Sequence, residues 1–256
     1  MSSTHSQLEA TQIRQDYQRD GYVSIPAFLG LEALQQVQLE LDDCLRSVVP
    51  GMPSTAVYYE DRADLTSLKQ LQRLQDYDPV LGKYLLKGPF YQLAKTVLGE
   101  EPRAWNMQYF DKAPGSNSPT PPHQDGAYFP IEPMNAVTIW FALQDVSEEQ
   151  GCVHYLRGSH KDGIRSHGAS GTLGFSRSIS PDDFDPNAIR KFPCKAGHAL
   201  AHDARTVHWA GNNESPVLHR RALGFIYFGA SCVLDEEADR RYQAALQETW
   251  EQKRRV

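Results

Sequence analysis

The chain has 256 residues, a formal charge of -6, 40% hydrophobic residues and 10% aromatic residues. That apolar content supplies a packed core and excludes long disorder, while the acidic balance excludes a general nucleic-acid binder, which would need a basic face for phosphates. No apolar run reaches the roughly 20 residues of a membrane span, and the start lacks the apolar core of a signal peptide.

The cysteines, Cys44, Cys152, Cys194 and Cys232, are scattered without CxxC or zinc-ribbon spacing. They predict reduced, mostly buried thiols in a cytoplasmic protein with no membrane or nucleic-acid partner. Oligomeric state is left open.

In chain order, "LEATQIRQDYQRDG" predicts a short helix ended by Gly21, and "YVSIPAFL" a strand that Pro26 confines to an edge or an end. Leu34, Val37, Leu41, Leu45 and Val48 recur at three- and four-residue steps and predict a helix with one apolar face. The stretch "LTSLKQLQRLQDYDPVLGKYLLKGPFYQLAKTVLG" holds helical spacing on both sides of Pro79 and stops at Gly99. From Trp105 the period shortens. "WNMQYFDK", "NAVTIWFALQDV", "GCVHYLRGSH", "GHALAHD", "TVHWAGN" and "RRALGFIYFGA" are β-branched or aromatic segments divided by Gly, Pro and Asn.

The region from Asp162 to Asn187 is the longest irregular segment, of a length that is usually disordered or functional, often as a lid, and Leu234 to Val256 returns to helix. The expected organisation is one domain over 1–256: a helical part over about 1–100, a β core over about 101–232 and a terminal helix over about 234–256. No GxGxxG, Walker or GxSxG pattern marks a nucleotide loop or a nucleophile elbow.

Two His-x-Asp pairs compete as metal ligands, His123 with Asp125 and His160 with Asp162. Residues two apart on a strand share a face and can reach one ion. The second pair sits in the polar turn "RGSHKDG" and reads as a solvated loop, whereas the first precedes aromatic residues and a long apolar strand. His208, expected at the end of another strand, is the best third ligand. Two imidazoles and a carboxylate suit a divalent metal, with the open facial triad of non-haem Fe(II) and a zinc site both open. Arg220 and Arg221 begin the next strand, and a guanidinium there suits capture of a dicarboxylate.

Together these residues give a likeness. The chain resembles the phytanoyl-CoA dioxygenase family of Fe(II)- and 2-oxoglutarate-dependent oxygenases from "DGYVSIPAFL" to "RRALGFIYF", most densely through "FDKAPGSNSPTPPHQDGAYFP", "VTIWFALQDVSEEQGCVHYLRGSHKDG" and "GHALAHDARTVHWAGNNES". The resemblance implies a mainly β fold with flanking α-helices, a double-stranded β-helix of the jelly-roll type whose mouth holds Fe(II). It implies His123, Asp125 and His208 as catalytic metal ligands and Arg220 as the anchor of 2-oxoglutarate. Trp140, Tyr109 and Lys69 fall where members line the cosubstrate pocket, Lys69 by alignment of a helix.

Departures are a longer turn before Arg220, which offers Arg221 as an alternative anchor, and Ala210 in place of a frequent hydroxyl residue. Tyr109 stands where Met is common, and Lys112-Ala113 replaces Lys-Pro. The implied activity is a hydroxylase that uses O2, releases succinate and CO2, and acts on an aliphatic C–H of a small organic or acyl substrate. A carboxylate at Asp125 disfavours the halide binding of related halogenases. Arg157, Lys161, Arg165 and Arg177 are candidates to meet an anionic substrate. Tyr58, Tyr59, Tyr128 and Phe129 are candidates for an apolar pocket. A sensor or scaffold binding 2-oxoglutarate or metal without turnover is the alternative function, and a zinc hydrolase a third.

Overall fold

A computed structural model describes residues 2–61, 63–172 and 174–240. Helix α1 (Ser2–Asp20) ends at Gly21, whose φ of 87° is the left-handed stop expected there. Strand β1 (Tyr22–Ile25) stops before Pro26. Helix α2 (Leu31–Ser47) buries Leu34, Val37, Leu41 and Cys44, and Leu45 and Val48 pack against the same core. Two short strands follow, β2 (Val57–Tyr59) and β3 (Leu68–Leu71).

Strand β3 corrects the helix expected from residue 65. Leu65, Leu68, Leu71 and Leu74 repeat every three residues, yet Gln70 and Leu71 pair with β4 (Pro102–Lys112), at Phe110 and Tyr109. The long-range ladder overrides the local period. Helix begins only at α3 (Leu74–Tyr77), continues as α4 (Pro79–Leu86), where Asp78 caps the N–H groups of Val80 and Leu81, and ends with α5 (Pro89–Leu98).

The remaining strands are β5 (Thr120–His123), β6 (Ile131–Glu132), β7 (Ala136–Ala142), β8 (Val153–Leu156), β9 (Gly168–Thr172) and β10 (Phe175–Ser178). After them come β11 (Ile189–Phe192), β12 (Ala199–Asp203), β13 (His208–Ala210), β14 (Arg220–Gly229) and β15 (Val233–Leu234). Seven form one antiparallel sheet in the order β1-β12-β7-β14-β4-β3-β2, and four form a second in the order β11-β8-β13-β5.

Alternation divides the larger sheet. Val137, Ile139, Phe141, Leu223, Phe225 and Tyr227 point to the helices, where Phe90 of α5 stacks on Phe225 at 3.9 Å. Trp140, Ala142, Leu200 and Ala222 point the other way and meet Val153 and Tyr155 of the smaller sheet. Burying a side chain of the size of Phe90 contributes about 1.5–3 kcal/mol, so the helical layer holds one wall of the barrel flat against its core. Two facing sheets with helices outside give the expected double-stranded β-helix.

The irregular segment 162–187 contains the hairpin β9–β10. Of the terminal helix expected from Leu234, Leu234 instead pairs in β15, Glu236 to Arg240 are helical, and 241–256 lie outside the described residues. No helix among the described residues is long and apolar enough to cross a membrane.

Candidate metal centre

The ladder between β13 and β5 sets His208 directly opposite His123, with ring centroids 4.2 Å apart. His208 begins its strand and does not end it, because the chain reaches the ladder only after the turn at Arg205 and Thr206. Asp125 opens a single 3-10 turn just beyond β5. Its Oδ1 lies 3.5 Å from His123 Nε2 and 3.7 Å from His208 Nε2. The three donor atoms lie within 4.8 Å of one another, and these residues form the one such group of three or more found among the described residues.

The tautomers are set by the backbone. His123 Nδ1 donates to Pro121 O at 2.8 Å and His208 Nδ1 to Thr206 O at 3.0 Å, since a carbonyl only accepts. Each Nε2 lone pair therefore faces the site, as a metal requires. Burial, then the neighbouring His123 and His202, hold His208 far below the ordinary histidine value. Burial alone would raise Asp125, but His208, His123 and His202 outweigh it and hold the carboxyl well below its usual range. Asp125 has no Lys or Arg partner among the described residues. Two imidazoles and a carboxylate converging in this way fit a divalent cation.

Sequence reasoning missed His202. Its Nε2 donates to Asp125 Oδ2 at 3.2 Å, its Nδ1 accepts from Tyr155 Oη at 2.9 Å, and Thr138 Oγ1 donates to the same Oδ2 at 2.5 Å. The signal was a lone histidine at the inward position of an apolar strand, opposite Thr138. Gln124, between the two ligands, is fully buried. It donates to Gly163 O and Arg205 O and accepts from the Arg165 N–H, so it pins three segments around the pair.

The competing pair is resolved, but not as a solvated loop. His160 is buried with Nε2 on Gln18 O at 3.0 Å, and only Asp162 faces solvent, paired to Arg165.

Arg220 and Trp140 come together on the inner wall, the guanidinium 5.5 Å from the ring centroid. Arg220 is 4% exposed and donates from Nε and Nη2 to Gly151 O. Gly151 has a φ of 71°, and a Cβ there would stand 2.4 Å from Gly211 O, so only glycine brings this carbonyl to the arginine. Burial lowers the Arg220 guanidinium to about 10.

Arg221 projects to the outer face, onto Asp42 at 2.6 Å and Tyr109 Oη at 3.0 Å. Tyr109 is thus on the helix-covered side, apart from Arg220, because its partner in the ladder is Leu223. The inward neighbour is Gln108, opposite Gly224. Lys69 lies on β3, not on a helix, with Nζ on Ser118 Oγ at 2.7 Å. A cavity of about 770 Å³ lies on the outer face, lined by Arg221, Tyr109 and Tyr59 among others and by none of the triad. Arg177 turns to Ala127 O and Tyr128, while Arg157 and Lys161 are exposed. Phe129 packs on Phe228.

Comparison with known proteins finds relatives both in sequence and in fold. The chain is 24% identical over 217 residues to a probable alpha-ketoglutarate-dependent hypophosphite dioxygenase of Stutzerimonas stutzeri, covering 82% of this chain and 76% of that one. It is 25% identical over 231 residues to phytanoyl-CoA dioxygenase of Arabidopsis thaliana, covering 78% and 82%. Among solved structures, the epimerase SnoN of nogalamycin biosynthesis, in complex with Fe3+, alpha ketoglutarate and nogalamycin RO, superposes with a TM-score of 0.69 at 23% identity over 89% of this chain and 86% of that one. EctD from S. alaskensis, with 2-oxoglutarate and 5-hydroxyectoine, gives 0.70 at 15% identity over 88% and 78%. The structural likenesses carry the fold. The profile of the phytanoyl-CoA dioxygenase family matches residues 17–222, from the end of α1 through both sheets and all three triad residues to the start of β14, and the chain belongs to that family.

Proposed function

We propose that this protein is an Fe(II)- and 2-oxoglutarate-dependent oxygenase that hydroxylates an aliphatic C–H of a small organic or acyl substrate. The observation that carries the reading is the His123–Asp125–His208 group opening onto the same inner wall as Arg220, a buried guanidinium without a carboxylate partner among the described residues. Three protein ligands leave room for a chelating cosubstrate on an octahedral ion. When bound, Fe(II) supplies the redox chemistry that divides O2 between the substrate and succinate with loss of CO2.

The chain supplies placement. His123, Asp125 and His208 hold the metal, and Thr138 and His202 fix Asp125 by its other oxygen. Arg220 receives the distal carboxylate beside Trp140, and Lys69 stands near the far end of that wall. Phe175 lies edge-on to the His123 ring at 4.9 Å and adds an apolar neighbour to the site. The carboxylate at Asp125 fills the position that a halide would need, which supports oxygen insertion over halogenation. One catalytic domain and a cytoplasmic setting complete the reading, the latter supported by four free thiols.

The test is anaerobic visible absorption of the Fe(II)-loaded protein before and after 2-oxoglutarate. A charge-transfer band is expected in the wild type, absent in Asp125→Ala and weakened in Arg220→Ala. Iron bound without a band would refute the cosubstrate reading. A band without succinate formation across a broad substrate screen would favour a sensor.

A further inference from the structure

The inner wall carries a charge arrangement that the metal ligands do not explain. Lys112 and Arg220 are direct partners on the β4–β14 ladder, so their side chains leave the same face of the sheet. Both are buried, 5% and 4% exposed. Lys112 Nζ donates to Ser118 O at 2.6 Å, and Lys69 from β3 holds the hydroxyl of the same serine.

The charged groups that act on Lys112 are Arg220 on β14, Lys69 on β3 and Glu60 just beyond β2, and Glu60 is itself bonded to Ser116 Oγ at 2.7 Å. Among the described residues no carboxylate forms an ion pair with Arg220, Lys112 or Lys69; Asp111, the nearest acid in sequence, is paired with His219 on the other face. Like charges opposed across a buried ladder repel with little water to screen them. Burial, then Arg220 and Lys69, push the Lys112 amine down to about 6. Near neutral pH the loss of the Lys112 proton therefore relieves its repulsion with Arg220 and Lys69. An arriving carboxylate reverses that balance, because it stabilises an ammonium beside Arg220.

We propose that Lys112 is a second anchor for the distal carboxylate of 2-oxoglutarate and that docking of the cosubstrate takes up one proton from solvent at Lys112 Nζ. The inference rests on the cosubstrate reading above. No covalent bond to carbon changes: the amine lone pair accepts the proton, and the ammonium keeps one N–H on Ser118 O and turns another to the carboxylate. The new charge pair forms only when the ligand is present, so an empty site carries less repulsion.

The experiment is anaerobic titration calorimetry of the Fe(II)-loaded protein with 2-oxoglutarate, in HEPES and in Tris, from pH 5.5 to 8.5. Proton uptake near one is expected at pH 7.5, falling away by pH 5.5 where Lys112 is already charged. Affinity should drop about tenfold per pH unit above 7. Lys112→Met should bind with no uptake and a flat pH profile, and about tenfold more weakly at pH 6.5. Lys112→Gln repeats the test if the first variant fails to fold. Wild-type binding without uptake, or uptake that persists in both variants, would overturn the inference and leave the cosubstrate reading intact. No wild-type binding at all would overturn both.

Discussion

Asp125 uses its two oxygens differently. Oδ1 faces Nε2 of both His123 and His208, while Oδ2 takes the hydrogen bonds of Thr138 and His202. A carboxylate so held presents one oxygen to an ion without rotating, and partners of this kind commonly matter 10–100-fold in metal affinity. His202→Phe should therefore weaken Fe(II) binding by about 10- to 100-fold in a chelator competition, with far-UV circular dichroism unchanged. Tyr155→Phe, one bond further out, should do less. Unaltered affinity in His202→Phe would show that Thr138 alone orients the carboxylate.

The convergence of His123, Asp125 and His208 was legible, because the first two lie two apart where one strand runs into a turn and the third stands at the matching rung of another. His202, Gln124 and Lys112 were not. Each acts through a partner distant in sequence: Asp125 from His202, Gly163 and Arg205 from Gln124, Arg220 from Lys112. Tyr109 shows the converse error, since a one-residue difference on β4 moves a side chain from the inner wall to the outer one.

At the scale of elements, the Gly- and Ser-rich segment sets the hairpin β9–β10 beside His123. Arg177 N–H donates to Tyr128 Oη at 3.0 Å, and Phe175 lies edge-on to His123. Just before them Gly174, at φ 84°, lies so close to β3 that a Cβ would come 2.4 Å from Gln70 Oε1, a buried acceptor without a hydrogen-bond partner. Gly174→Val combines backbone strain with this clash, each worth of order 1–3 kcal/mol, and should lift the hairpin. Trypsin cleavage after the exposed Arg177 should then quicken several-fold while the Fe(II)–2-oxoglutarate band survives. A cleavage rate equal to wild type would mean that Gln70 yields and the hairpin stays seated. The same hairpin was invisible as strands because its pairing is local, short and glycine-rich, and β3 was misread because three-residue leucine spacing mimics a helix until the β4 edge is known.

For the molecule as a whole, the inner wall links the folding equilibrium to pH. Lys112 titrates at about 6 in the folded protein, below the ordinary lysine value that it regains on unfolding. Between those values the unfolded chain binds the extra proton, so stability rises with pH. Below pH 6 the folded protein bears the full cost of a charged Lys112 beside Arg220, and above the ordinary value the cost vanishes. Asp125 acts in the same direction at acid pH: its carboxyl is held low when folded, so its contribution is present above the usual carboxylate range and lost as pH falls. Urea denaturation without metal or cosubstrate should show wild type gaining about 2–3 kcal/mol relative to Lys112→Met between pH 6.5 and 8.5, at about 1.4 kcal/mol per unit. Parallel stability curves for the two proteins would mean that Lys112 reaches water in the empty barrel, and the cationic wall would then be hydrated until its ligand arrives.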